Sequence, residues 1–180
     1  GHIISGLKTI ALAGLKYYGL FGRTNSATVK NTFAIDCSYY SNSEDDRIGC
    51  IIGEMIGGKM YYSEGEGKLS AEGIRAIMGG LVGYAENAEI HSCMAMPAME
   101  CNGANAIMGG LVGKMFGNGR SDGMGMCRVF NCFANPQFRT TSSTAFGGGL
   151  AGVMDKNQNY YSFCEVTECY VRLDRLHQFP

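Results

Sequence analysis

The stretch Ile77-Met78-Gly79-Gly80-Leu81-Val82-Gly83 decides the fold, because it returns as Ile107-Met108-Gly109-Gly110-Leu111-Val112-Gly113. A degraded copy follows at Gly148-Gly149-Leu150-Ala151-Gly152, and weaker copies precede at Gly49-Cys50-Ile51-Ile52-Gly53 and Gly19-Leu20-Phe21-Gly22. The closing glycines 22, 53, 83, 113 and 152 are 31, 30, 30 and 39 residues apart. A fixed period of this length predicts repeat units that stack on one another.

A second block follows each closing glycine. Its five copies begin at Val29, Met60, Ile90, Val129 and Val166. The spacing from block to next glycine is nearly constant, at 24, 23, 23 and 23 residues. The spacing from glycine to block is seven residues three times and then sixteen and fourteen, so the insertions are confined to residues 114–128 and 153–165. Length variation at one corner of a constant frame is typical of stacked coils, whose strands must stay in register.

The segments between the glycines are short and strand-like, rich in Val, Ile, Phe and Tyr and bounded by Gly, Asn, Asp and Ser. They predict an all-β chain, a parallel β-helix of about five stacked coils with about thirty residues per repeat. We expect one domain over residues 1–180, with repeat copies near 19–48, 49–78, 79–108, 109–147 and 148–171. The opening residues, with no Met and no charged leader, suggest a piece of a longer protein.

The Gly-Gly-Leu-Val-Gly core, followed by an Ile-x-x-Cys-aromatic-Ala block, resembles the GLUG repeat of bacterial surface adhesins and immunoglobulin A peptidases. The opening Gly1-His2-Ile3-Ile4-Ser5-Gly6-Leu7 also resembles the lead-in to a first copy. The resemblance covers roughly residues 1–171. It implies a β-helical, non-catalytic repeat module that is exported and lies outside the cell or on its surface.

Composition excludes several classes of function. The net charge is −1, with acidic and basic residues interspersed, so we expect no nucleic-acid partner. No apolar run approaches the roughly 20 residues of a membrane span. The eight cysteines include no close C-x-x-C pair, which weighs against a zinc ribbon or a redox motif. We therefore expect no metal and no cofactor.

Stacking in register places equivalent residues about 4.8 Å apart, in columns along the solenoid. One apolar column contains Leu20, Ile51, Leu81, Leu111 and Leu150, and each member should pack on its neighbours. The motif glycines should be structural, because they need either a positive φ or a close approach of coils. They are Gly80, Gly83, Gly110, Gly113, Gly149 and Gly152.

Two further columns carry polar groups. Lys59, Glu89, Arg128 and Glu165 alternate in sign in four successive coils, which suggests an ion-pair ladder that sets the register. Another column contains Thr32, Ser63, Cys93, Cys132 and Cys169. Because Thr and Ser occupy the same site, we expect its three cysteines to be buried, reduced packing residues. If any bridge links two coils, the candidate is Cys127–Cys164, where equivalent thiols lie in the inserted turns.

No reaction centre is evident. A nucleophile pair of Cys93 and His91 is the sharpest enzyme hypothesis, and the membership of Cys93 in a column of Thr and Ser argues against it. A polysaccharide-processing β-helix needs converging carboxylates, whereas the scattered acids are expected in different columns: Glu86, Glu100, Asp122, Asp155 and Glu168. The run Glu44-Asp45-Asp46 suits a solvated turn better than a calcium loop, because it lacks alternating ligand spacing.

Aromatic side chains give the one hint of binding. Phe33, Phe133 and Tyr170 share a column with Glu64 and Met94, one position after the Thr/Ser/Cys site. If they face outward, they could stack on host or surface glycans or on proteins; the alternative is a minor packing layer under the loops. The resulting hypothesis is a non-catalytic extracellular module for adhesion, surface binding or spacing. The alternative is a carbohydrate-binding or carbohydrate-processing β-helix.

Overall fold

The protein is an all-β parallel solenoid in the computed structural model, which describes residues 2–10, 14–119, 125–158 and 161–173. All of the regular secondary structure among these residues is β-strand. The strands pair in parallel in four sheets that run along the stack. Each repeat contributes strands to the four sheets in turn. The predicted fold class is therefore confirmed.

Each sheet collects equivalent strands from successive repeats. Sheet A contains β1 (His2–Ser5), β2 (Lys8–Thr9), β6 (Thr32–Ser41), β10 (Glu64–Ala71), β14 (Met94–Cys101), β18 (Phe133–Ala134), β19 (Gln137–Thr140) and β23 (Tyr170–Val171). Sheet B contains β3 (Tyr17–Tyr18), β7 (Arg47–Gly49), β11 (Ile77–Gly79), β15 (Ile107–Gly109) and β20 (Phe146–Gly148). Sheet C contains β4 (Phe21–Asn25), β8 (Ile52–Ile56), β12 (Val82–Glu86), β16 (Val112–Gly117) and β21 (Ala151–Lys156). Sheet D contains β5 (Thr28–Lys30), β9 (Lys59–Tyr61), β13 (Glu89–His91), β17 (Gly125–Phe130) and β22 (Ser162–Thr167).

The motif glycines are required because neighbouring backbones leave no room for a Cβ atom. A Cβ on Gly80 would clash with the carbonyl oxygen of Gly110, and a Cβ on Gly110 would clash with that of Gly149. A Cβ on Gly83 would lie 2.6 Å from the backbone nitrogen of Ile48, in sheet B of the preceding repeat. None of these glycines has a positive φ. Of the two explanations for the glycines, close approach is therefore the right one.

The last motif copies follow the same rule. A Cβ on Gly113 would lie 2.7 Å from the Cγ2 atom of Ile77, which begins the sheet B strand of the preceding repeat. A Cβ on Gly152 would lie 2.6 Å from the equivalent atom of Ile107. At Gly149 the obstacle is the Val171 side chain, 2.9 Å away. Gly113 and Gly152 thus hold sheet C against sheet B, whereas Gly149 makes room for a side chain of sheet A.

The predicted leucine column lies in the core. The amide of Leu81 donates to the carbonyl of Leu111 at 2.9 Å, and the amide of Leu111 donates to that of Leu150 at 2.8 Å. Leu81 and Leu111 are fully buried, as is Ile51 in the same column. Leu150 is only half-buried, although it still packs against the core. The expectation of little exposure therefore holds for the two central leucines and is too strong for Leu150, which belongs to the last described motif copy.

The column of Thr32, Ser63, Cys93, Cys132 and Cys169 forms a hydrogen-bond ladder as well as a packing site. The Ser63 hydroxyl accepts from the Thr32 amide at 3.3 Å and donates to the Tyr61 carbonyl at 3.0 Å. The Cys132 thiol repeats both bonds, to the Cys93 amide at 3.3 Å and the Phe130 carbonyl at 3.2 Å. A small side chain that both donates and accepts is what this corner requires, and Ser, Thr and Cys meet that need.

The predicted burial of the three cysteines is partly met. Cys93 and Cys132 are buried and Cys169 is half-buried, and all three are free thiols. The role expected for them, that of small apolar residues, is incomplete, because each thiol also donates to the carbonyl two residues earlier.

A β-bulge in β6 explains the one irregular spacing between block and glycine. The β6–β10 register passes from Ala34 opposite Gly65 to Cys37 opposite Gly67, so β6 has one extra residue. Asp36 has a φ of 54° at this point. The bulge accounts for 24 residues in the first repeat where the others have 23.

Candidate binding surface

Four aromatic rings form a cluster on the outer side of sheet D. Tyr61, His91 and Phe130 are register partners in β9, β13 and β17. The centroids of the Tyr61 and His91 rings are 4.6 Å apart, and those of His91 and Phe130 are 4.9 Å apart with an interplanar angle of 9°. Tyr62 adds edge contacts to Tyr61 at 6.2 Å and to His91 at 5.8 Å. We call these four residues the ring cluster.

Sequence reasoning did not join these four residues into one cluster, although a signal was present. Its three stacked members each directly follow the first residue of a block, which is buried, namely Met60, Ile90 and Val129. Because side chains alternate across a strand, residues adjacent to an inward column must face outward.

The most exposed ring of the cluster rests on an unusual backbone. Tyr62 follows the end of β9, has a φ of 51° and exposes 59% of its surface. The same left-handed turn recurs with φ between 51° and 52° at Asn31, Ser92, Asn131 and Glu168. Asn tolerates this conformation well, but a bulky aromatic residue rarely adopts it. A strained residue held by its surroundings points to a site where the side chain's position matters.

The sequence-predicted aromatic column lies nearby, on the outer side of sheet A. Phe33, Glu64, Met94, Phe133 and Tyr170 are successive register partners. Tyr170 is 72% exposed, whereas Phe33 and Phe133 are half-buried.

The three predicted residues therefore share one face but do not form a continuous ring stack. Phe133 and Tyr170 are neighbours, while Glu64 and Met94 separate Phe33 from them. The column begins just after the left-handed turn, and the ring cluster ends at it. Both aromatic sets thus border the same corner.

The predicted charge ladder lies beside the ring cluster. Glu89 pairs in register with Lys59 on one side and Arg128 on the other. Its carboxylate lies 3.2 Å from the Lys59 ammonium, and Arg128 lies 3.0 Å from Glu165. The prediction that Glu89 lies within reach of an opposite charge is confirmed. A shallow depression of about 260 Å³ adjoins these charges, lined by Gly58, Lys59, Asn87, Ala88, Glu89, Met126 and Arg128.

His91 and Cys93, the pair of the enzyme hypothesis, have their side chains on opposite sides of the coil. The His91 ring stacks in the ring cluster, whereas the Cys93 thiol is buried and donates to the His91 backbone carbonyl at 3.2 Å. The left-handed turn at Ser92 separates the two side chains. They therefore do not form a nucleophile–base pair in this structure.

Two acidic residues do share a column, contrary to the expectation from the sequence. Glu86 and Asp155 both pair with Phe116 in sheet C. Each is the third residue after a closing glycine, upstream of the variable turn, so their offsets already placed them together. Two strand spacings separate them, about 9.6 Å. Asp122 lies outside the described residues, as does His177.

Both carboxylates are engaged in local contacts. Glu86 accepts hydrogen bonds from the Asn118 amide at 2.7 Å and the Tyr84 hydroxyl at 3.1 Å. Asp155 accepts one from the Lys156 backbone amide at 2.8 Å and pairs with Lys114 at 3.2 Å. These contacts hold the pKa of Asp155 below its usual range, the Lys156 bond contributing most. A larger depression of about 470 Å³ near Asp155 has that residue as its one acidic lining side chain among those described.

The acidic run at residues 44–46 is divided between surface and interior. Glu44 and Asp45 pair with Arg75 of the next repeat at 3.0 Å and 2.7 Å. Asp46 is fully buried and accepts a hydrogen bond from Ser41. The run therefore does not present three carboxylates to one ion.

The described residues contain no group of three or more His, Cys, Asp or Glu placed to hold a metal ion. In that same part of the chain, no helix is long and apolar enough to cross a membrane. Comparisons with family models, with curated proteins and with solved structures give no match.

Proposed function

We propose that the chain is a non-catalytic repeat module of the GLUG type, from an exported bacterial protein, that serves in adhesion or surface binding. The repeated Gly-Gly-Leu-Val-Gly motif and its aromatic block support the family, and the parallel solenoid agrees with what the resemblance implies. A stack of this kind presents long flat faces to a partner, as repeat proteins commonly do. We place the module outside the cell or on its surface.

The observation that carries the proposal is the exposed ring of Tyr62, which extends from the ring cluster and is held by edge contacts with Tyr61 and His91. Tyrosine combines a large apolar face with a polar tip, and it loses little conformational entropy when it is already held in place. Such rings suit the apolar faces of sugars and the surfaces of proteins. Tyr170, across the corner, offers a second exposed ring.

Most of the charges around the ring cluster are paired with one another. The Lys59 ammonium is paired with Glu89 and Arg128 is paired with Glu165, while the exposed Lys30, the register partner of Tyr61, adds one further positive charge to this face. We therefore propose glycans or proteins of the host or of a cell surface as partners, and not nucleic acid.

The test is a glycan array, followed by binding to whole cells, with the wild-type chain and three variants. Tyr62→Asn should weaken binding about tenfold, which corresponds to about 1.4 kcal/mol. It should not unfold the protein, because Asn31 and Asn131 occupy the same turn. Tyr170→Ser should weaken binding to a smaller extent. Tyr161→Ser is the matched control, since this tyrosine is 87% exposed but lies in neither aromatic set.

Two outcomes would contradict the proposal. Equal binding by Tyr62→Asn and Tyr161→Ser would remove the ring cluster from the binding surface. Release of reducing ends from a bound polysaccharide would show that the chain cleaves carbohydrate, which would support the carbohydrate-processing alternative over a non-catalytic module.

A further inference from the structure

Two departures from the repeat bring two sulfur atoms together inside the solenoid. Cys50 occupies the column of the second motif glycine, where other repeats have Gly80, Gly110 and Gly149. Cys37 directly follows Asp36, where β6 bulges. The Sγ atoms of Cys37 and Cys50 lie 2.8 Å apart, and both residues are buried.

Two further departures make room for this pair. The adjoining strand β10 has Gly65 and Gly67 where β14 has Ala95 and Pro97. A Cβ on Gly67 would lie 2.1 Å from the Cys37 carbonyl oxygen and 2.5 Å from the Cys37 sulfur, and a Cβ on Gly65 would lie 2.3 Å from the Gly80 carbonyl oxygen and 3.0 Å from the Cys50 Cβ. The bulge, the cysteine in place of glycine and the two glycines opposite thus meet at one place in the solenoid.

We propose that Cys37 and Cys50 form a disulfide when the chain folds in an oxidising compartment, and that this bridge links β6 to the motif copy at residues 49–53. Two thiols lose two protons and two electrons as the S–S bond forms. A disulfide oxidant, such as oxidised glutathione or a thiol oxidase of the export pathway, accepts them and is reduced to two thiols. This bridge is independent of the ring cluster and requires only that the chain meets such an oxidant.

We expect the bridge to form before the coil is fully packed. Thiolate is the species that attacks a disulfide. The hydrogen bond between the Cys37 and Cys50 thiols and the burial of the site both raise the pKa of Cys50, so the folded chain holds little thiolate there. The same burial then protects the finished bond from reductants.

The bridge proposed from the sequence, Cys127–Cys164, is less favoured. The two residues are register partners in β17 and β22, as expected from their offsets. All four cysteines are free thiols, and Cys127 and Cys164 interact with each other, but these two also donate to different strands: Cys127 to the Ala85 carbonyl at 3.5 Å and Cys164 to the Asp155 carbonyl at 3.1 Å.

The test is disulfide mapping of the full chain after refolding in a glutathione redox buffer. Trypsin cuts after Lys30, Arg47 and Lys59, which places the two cysteines on separate peptides, 31–47 and 48–59. Alkylation without reduction should give these two peptides as one linked species, with the other six of the eight cysteines alkylated. A Cys127–Cys164 bridge would instead link peptides 121–128 and 157–172.

Recovery of peptides 31–47 and 48–59 in alkylated, unlinked form from folded protein would overturn the proposal, and so would a link from either to another cysteine. The matched variant is Cys50→Gly, which restores the residue of the repeat and should still fold. It should lose the linked species, leave Cys37 alkylated and abolish the rise in the urea midpoint that oxidation gives the wild type.

Discussion

A Cβ atom on Gly79 would lie 2.5 Å from the backbone nitrogen of Gly113, the closing glycine of the next motif copy. Gly79 ends β11 in sheet B, and Gly113 lies in β16 in sheet C. The first and last glycines of the motif are therefore the contact surface between two sheets, one repeat apart. The leucine between them is fully buried, so the motif combines a close approach with a core side chain.

The first prediction follows from this contact. Gly79→Ala should destabilise the fold by roughly 1–3 kcal/mol, the usual cost of inserting a methyl group into packed backbone. Gly147→Ala is the control, because Gly147 also lies in sheet B but has nothing within 4 Å of its Cβ position and no positive φ. It should leave stability unchanged or raise it by about 0.4–1 kcal/mol. Urea unfolding of the two variants measures the difference, and equal midpoints would contradict the role given to the motif.

The second prediction concerns the leucine column. Leu111→Ala should cost roughly 2–5 kcal/mol, because the side chain is fully buried between neighbouring repeats. Leu150→Ala should cost clearly less, since Leu150 is only half-buried. The comparison is made on the free energy of unfolding in urea. A Leu111→Ala variant as stable as the wild type would refute the assigned register.

The columns could be predicted because one period fixes which residues are equivalent. The Leu81–Leu111 contact and the Lys59–Glu89 ion pair follow from equal offsets alone. The outward placement of Tyr61 and His91 was readable in the same way, from their position beside an inward column.

The local features that interrupt the repeat could not be predicted from the sequence. The bulge at Asp36 is one added residue with no glycine to mark it, and the left-handed turn at Tyr62 has a residue that seldom adopts this conformation. Both depend on tertiary packing that overrides local preference. For that reason the approach of Cys37 to Cys50 could not be predicted, although Cys50 was visible as a departure from the glycine column.

The third prediction separates a buried ion pair from an exposed one. Glu54 is 4% exposed, its Oε1 pairs with Arg47, and its Oε2 lies 3.3 Å from Arg23. Glu54→Gln should cost roughly 1.5–3 kcal/mol, the range for a hydrogen bond to a charged group. Glu89→Gln, which loses the exposed pair with Lys59, should cost about 0–1 kcal/mol.

Salt distinguishes the two carboxylates further. The loss at Glu89 should shrink in about 1 M salt, where the Debye length falls to roughly 3 Å, while the loss at Glu54 should persist. Unfolding curves for both variants at low and high salt give the comparison. A larger loss at Glu89 than at Glu54 would show that burial does not control these pairs.

The last prediction concerns the pH dependence of stability at Asp46. Its side chain is fully buried next to the Ser41 hydroxyl, and the Lys16 ammonium is 4.0 Å away. Burial raises the pKa of the Asp46 carboxyl above its usual range, outweighing the lowering effects of Ser41 and Lys16. The folded chain therefore holds this proton to a higher pH than the unfolded chain does. Stability contributed by the protonated form is lost as the pH rises between the two pKa values.

Asp46→Asn removes this ionisation and keeps a side chain of the same shape. Above the folded pKa the variant should be more stable than the wild type, and below about pH 3, where the wild-type carboxyl is protonated in both states, the difference should vanish. Asp45→Asn is the control of opposite sign, because the hydrogen bond from Arg75 lowers the pKa of Asp45 and the ionised form is the one that stabilises. Urea midpoints across the pH range measure both. A pH-independent difference at Asp46 would mean that its effect comes from packing, because only a titrating group can make the gain appear as the proton leaves.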